Sequence, residues 1–181
     1  MKKQIKRMVL SAMFLAIGLV LPFLTGQIPE IGNMLLPMHL PVMLCGLICG
    51  AQYGAVVGFV TPLLRSVLFS RPVMFPSAVA MAFELATYGL VIGLVFSMLK
   101  KRNILTLYIS LISSMLIGRA VWGGVMSILL MNGEGFTFAM FVSGAFATAI
   151  PGIIIQLILI PALMVVLNRA RLVSLGDETN A

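Results

Sequence analysis

The chain has 181 residues, 61% of them hydrophobic and 9% charged, with a net charge of +7. Soluble domains are about half apolar and about a quarter charged, so a single water-soluble core is excluded and an integral membrane protein is implied. The basicity does not point to nucleic acid, because the cations flank apolar runs: Lys2, Lys3, Lys6 and Arg7 before the first, Lys100, Lys101 and Arg102 between two others, Arg169 and Arg171 after the last.

A spanning helix needs about 20 mostly apolar residues. The first is predicted over 8–24. Its basic flank resembles a signal peptide, but the run is long enough to span and no small-residue cleavage site follows. The stretch "TGQIPEIGN" (25–33) reads as a polar loop. The second helix, 35–50, is short and carries Pro37 and Pro41; the third covers 51–69. Only "GAQYG" parts them, which predicts a tight hairpin or a nearly continuous pair. Gly46, Gly50, Gly54 and Gly58 recur every four residues, as do Ala78, Ala82 and Ala86, a spacing that lets backbones approach closely inside a bundle. The fourth helix is predicted over 76–99, the fifth over 105–131, and the sixth over 138–167, interrupted by Pro151 and Pro161.

The expected fold is therefore an all-α bundle of six transmembrane helices forming one domain over 1–181. An even count puts both termini on one side. With that side cytoplasmic, nine of the 12 Lys and Arg fall inside, which is the expected positive-inside asymmetry. Cys45 and Cys49, four apart in an apolar run with no metal-ligand spacing around them, read as small packing residues rather than a disulfide.

Four ionisable side chains interrupt the apolar runs: His39, Arg65, Glu84 and Arg119. Each costs a few kcal/mol or more in the bilayer, so each should face the bundle interior or a cavity. At about 1.5 Å per residue they lie about 6, 8, 12 and 18 Å from the outer ends of their helices, in the outer half of the membrane or near its midplane. Tyr88 shares a helix face with Glu84, and Trp122 with Arg119. With Asn33, Asn132 and Gln156, they are expected to form an outward-facing polar cavity with aromatic walls, suited to a small, polar, partly flat molecule. Each has a plainer reading. Glu84 and Arg119 could be a structural ion pair, Arg65 could snorkel to the interface, and His39, Trp122 and Gln156 could serve packing or interhelical hydrogen bonding. No phosphate-binding glycine loop, nucleophile elbow or zinc motif is present, which argues against an enzyme.

The stretches "LPMHLPVMLCGLICGAQYG", "VGFVTPLLRSVLF", "PSAVAMAFELATYGLVIGL", "IGRAVWG" and "PGIIIQLILIPAL", in that order over nearly the whole chain, resemble the substrate-binding S components of energy-coupling factor (ECF) vitamin transporters. Such components are common in Firmicutes. The resemblance implies a high-affinity binding subunit of an ECF-type ABC importer in the plasma membrane of a Gram-positive bacterium. It would work with a transmembrane coupling protein and two ATPase subunits that use the ATP, and bind no cofactor itself. Ala12 and Ala16 resemble the small-residue motif that docks on the coupling protein, and the loop after the first helix would close over the site. Because Arg65 and Arg119 outnumber Glu84, an anion such as pantothenate is the first ligand expected. Pyridoxine-type vitamers come second, through stacking on Tyr88 and Trp122 and a ring nitrogen on Glu84. The alternatives are a stand-alone small permease or channel for a small polar solute, a membrane enzyme, and a structural subunit without ligand.

Overall fold

A computed structural model describes residues 2–25, 35–99, 103–131, 137–144 and 148–170. The order of its helices is α1 (Lys2–Val20), α2 (His39–Cys49), α3 (Ala51–Phe69), α4 (Val79–Met98), α5 (Ile104–Leu129), α6 (Phe138–Val142) and α7 (Ile150–Arg169), and the described residues contain no strand. Five helical segments are long and apolar enough to cross a bilayer. The outward faces of these helices stay apolar, with Val56, Val67, Leu94, Ile117 and Ile158 exposed, as the hydrocarbon region requires of any spanning element.

The boundaries depart from expectation in three places, each with a local cause. The first helix begins at Lys2 rather than residue 8, and beyond Val20 it tightens into a 3₁₀ turn over Leu21–Thr25 around Pro22, which cannot donate to the ladder. The second helix is 11 residues, His39–Cys49, about 16 Å at 1.5 Å per residue, too short to cross alone. The expected sixth helix is split into α6 and α7. Its break precedes Pro151, which takes up the first turn of α7, where its fixed φ is favourable; Pro161 is absorbed inside α7. The fifth helix starts on a side-chain cap, with Asn103 accepting from the Thr106 backbone N–H at 2.9 Å.

The glycines build the centre. Gly50 adopts φ +105°, which folds α2 back on α3 as a tight hairpin. That hairpin lies on α4 with backbones in contact: a Cβ on Gly54 would stand 2.6 Å from Gly46 Cα and 2.7 Å from the Gly89 carbonyl oxygen. The four-residue glycine spacing is thus internal packing, and Ala78 and Ala82 are buried with it. Around this seam the side chains of Val42, Met43, Leu85, Ile92, Leu107, Leu111, Ile160 and Met164 form the apolar core. Cys45 and Cys49 are free and buried. α4 is the central helix, packed on α2, α3 and α5, and α7 meets the bundle through α5 and α2. A methyl at Gly89 would sit 2.2 Å from the Gly54 carbonyl oxygen, and backbone on both sides cannot yield. Gly89→Ala is therefore expected to lower the thermal midpoint by on the order of 10 °C, from about 3 kcal/mol of overpacking, while Leu90→Ala on the exposed face leaves it nearly unchanged.

Candidate functional site

The site is built on α4. Glu84 is 1% exposed, and three neighbours converge on its Oε1. The Tyr88 hydroxyl, one turn on, donates to it at 3.1 Å. Arg119 Nη1, from α5, is 3.0 Å away, and His39 Nε2, from the first residue of α2, is 3.6 Å away. The Tyr88 ring sits 5.1 Å from the His39 ring and directly against Gly118, where a Cβ would be 2.2 Å from it. A glycine one residue before Arg119 therefore lets the tyrosine reach the carboxylate. Because α2 begins at His39, its first side chain reaches back to Glu84.

Two cavities meet at this cluster. One, of about 170 Å³, is bounded by His39, Met81, Glu84, Arg119, Trp122 and Thr148. The other, of about 200 Å³, lies between α5 and α7, bounded by Tyr88, Met115, Arg119, Ile153, Gln156 and Leu157. Leu36 and Arg119 line both. Trp122 is stacked on Phe141 at 6.3 Å, and Gln156, 2% exposed, reaches the Leu36 carbonyl at 3.5 Å. Five expected site residues thus adjoin one another as donors, acceptors and walls: His39, Glu84, Tyr88, Arg119 and Trp122. Gln156 joins from α7.

Polar nitrogens at the cluster are left over. His39 Nδ1 and Nε2 and Arg119 Nε and Nη2 are buried without a hydrogen-bond partner among the described residues. Buried polar groups are nearly always paired, and leaving one unpaired costs about 1–3 kcal/mol. The cluster therefore concentrates buried, unpaired nitrogens in residues that border two cavities, a setting suited to a polar ligand.

A family model described as "ECF transporter, substrate-specific component" matches residues 6–164. The chain belongs to that family. Comparisons with curated proteins and with solved structures give no match. As an S component it is a multi-pass membrane protein, the substrate-specific subunit of an ECF transporter, and it works with ECF transmembrane and ATPase components.

Two features of the S component lie apart from the cluster. Arg65 does not line either cavity. Its guanidinium donates to the Leu19 carbonyl and lies 5.0 Å from the Phe23 ring and 5.3 Å from the Phe69 ring. It ties the end of α1 to α3, so the expectation that it joins Glu84 is corrected: the aromatic pair and a helix-terminal carbonyl satisfy the cation locally. Ala12 and Ala16 are exposed on α1, away from the cluster. Asn33 and Asn132, and most of the loop over 25–33, lie outside the described residues. One contributor escaped sequence reasoning. Leu36 has φ +50°, a rare conformation for a branched side chain. Its carbonyl both accepts from the His39 N–H at 3.1 Å and meets Gln156. Residue type gives no hint of this; the only sequence signal is the adjoining Pro37.

Proposed function

We propose that this S component binds a vitamin or related micronutrient tightly from the outer side of the membrane, at Glu84, Arg119, His39, Tyr88, Trp122 and Gln156, and delivers it to an ECF-type ABC importer whose ATPases supply the energy. The observation that carries this is the buried Glu84–Arg119–His39 cluster between two cavities, with four nitrogens unpaired among the described residues. A purely structural ion pair would need neither the cavities nor the unpaired nitrogens. We read both termini as cytoplasmic, a reading the lysine and arginine asymmetry supports, and Asn33 and Asn132 are proposed to complete the site from the loops.

Of the two ligand leads, the anion argument counted Arg65, which is tied to α1 and the aromatic pair. Pantothenate therefore rests on Arg119 alone. A pyridoxine-type vitamer keeps its partners, Glu84 for a ring nitrogen and Trp122 for stacking, at the 170 Å³ cavity.

The test is the thermal midpoint of the purified protein against pantothenate, pyridoxine, pyridoxal, thiamin, riboflavin, biotin, folate, queuine and tryptophan. A ligand at a thousandfold excess over its Kd stabilises by about 4 kcal/mol, which corresponds to a rise on the order of 10 °C. One such rise is expected. A flat panel, together with no co-purification of ATPase subunits, would overturn the proposal.

A further inference from the structure

The 200 Å³ cavity between α5 and α7 differs in chemistry from its neighbour. Its apolar walls are Ile112, Met115 and Leu116 on α5, Ile153 and Leu157 on α7, and Leu36. Three polar residues also border it, but their polar atoms are engaged elsewhere or buried. The Tyr88 hydroxyl donates to Glu84, the Gln156 amide reaches the Leu36 carbonyl, and Arg119 turns Nη1 to Glu84 with Nε and Nη2 buried. A water in this cavity would lack the several polar partners it needs. An unfilled void, in turn, costs stability in proportion to its volume.

The open side of the cavity faces lipid. Ile112 and Leu116 are 48% and 57% exposed, and Ile154 and Ile158, next in sequence to the two wall residues of α7, are exposed as well. The cavity is thus a fissure continuous with the face that this S component turns to the bilayer. α7 leaves it open because it buries little of itself: Gly152, Gln156, Ile160, Pro161 and Met164. At 1.5 Å per residue, Ile112 and Leu116 lie about 12 and 18 Å along α5, near the middle of a hydrocarbon layer about 30 Å thick. The groups that a bilayer presents at that depth are the methyl ends of lipid chains, not headgroups.

We infer that the fissure between α5 and α7 is a binding site for one acyl chain of a bilayer phospholipid. The chain enters laterally between Leu116 and Leu157, and its methyl end rests on Met115. A dry apolar cavity of about 150 Å³ takes up benzene, so one of about 200 Å³ admits about eight carbons on the same scale. The chain packs on Tyr88 and Gln156 and fills the space behind the polar cluster. The substrate keeps the 170 Å³ cavity, which His39, Glu84 and Trp122 bound.

The test uses the wild-type full chain in phosphatidylcholine bilayers. A trace of the lipid carries a photoactivatable diazirine at the methyl end of one chain, and labelled residues are located by peptide mass spectrometry. Met115 is expected to carry at least about ten times the label of Leu107 and Leu111, which are buried on the same helix but do not line the fissure, since a close-packed interior admits no chain. Moving the diazirine to the headgroup end of the chain is expected to abolish the Met115 label. Filling the fissure with Leu157→Trp, or narrowing its mouth with Leu116→Trp on the exposed rim, is expected to cut that label at least about fivefold. The label on Val56, exposed on α3, should stay unchanged in both. Labelling of Met115 no greater than that of Leu111 would overturn the inference. So would a Met115 label that both tryptophans leave intact, since the chain would then lie elsewhere. Neither result bears on substrate binding, which the thermal-midpoint panel judges separately.

Discussion

Removing Glu84 alone, as Glu84→Ala, is expected to destabilise the protein by about 3–5 kcal/mol, because it strands the Arg119 guanidinium in a buried setting. Replacing both partners, as Glu84→Gln with Arg119→Gln, is expected to recover most of that loss, since two neutral amides of similar shape remove the unpaired charge and can hydrogen-bond to each other. Neither variant should bind the substrate. Thermal midpoints and ligand titrations on the wild type, the single variants and the double variant make a cycle that separates the two roles of the pair. If the cluster only locks α4 to α5, stability and binding will rise and fall together, and the double variant will bind normally. If it is a ligand site, the double variant will be folded and inert. Burial is what gives this experiment its contrast: with Glu84 1% exposed and Arg119 5% exposed, water cannot stand in for the missing partner. Tyr88 bears the same logic in weaker form, since its hydroxyl donates to the same oxygen at 3.1 Å and Tyr88→Phe would remove one neutral hydrogen bond, worth about 1 kcal/mol.

The centre of this site was legible in the sequence because rare residues in apolar runs are informative. A carboxylate in the fourth apolar run had to face inward, and the i, i+4 spacing put Tyr88 on its face. Arg119 and Trp122, three apart, come out as neighbours lining one cavity. Arg65 shows where that reasoning stops. Being in an apolar run says that a cation must be satisfied, not by what, and Arg65 found two aromatic rings and a carbonyl instead of Glu84. Phe69, one turn beyond Arg65, was the available signal. Hydropathy was blind in a second way at the end of the chain. The apolar run over 138–167 is nearly unbroken in hydropathy, and only Pro151 and Pro161 signal an interruption; the described backbone leaves the helix at Thr148 and Ala149, just before Pro151. Backbone breaks are set by glycine, proline and local capping, which an average over side-chain hydropathy does not register. The short α2 has the same lesson. It starts only at His39, just after Pro37, and the apolar character of residues 35–50 gave no sign of so late a start. Leu36 is the extreme case, a strained backbone position whose role lies wholly in its carbonyl.

Ala12→Trp combined with Ala16→Trp is expected to abolish substrate uptake by cells while leaving the affinity of the purified protein unchanged. α1 has two faces. Ser11, Phe14 and Gly18 point into the bundle; Ser11 and Phe14 are buried, and a Cβ on Gly18 would touch Thr61 of α3 at 2.9 Å. Ile5, Val9, Ala12, Ala16 and Val20, three or four apart, run along an exposed stripe of the helix. In the membrane such a stripe faces lipid unless a partner covers it, and small residues on it allow another helix to come close without the cost of displacing bulky side chains. Lipid is as apolar as the stripe, so contact there is governed by shape. Two indole rings would fill the groove that a coupling helix needs, and they would do so without touching the cavities, which neither alanine lines. Co-purification with the transmembrane and ATPase components should fall with uptake. If the double variant instead loses ligand affinity, α1 communicates with the site through its end, where the Leu19 carbonyl holds Arg65, and the stripe is not a docking face. If uptake persists with both tryptophans in place, the coupling protein meets this S component on another helix.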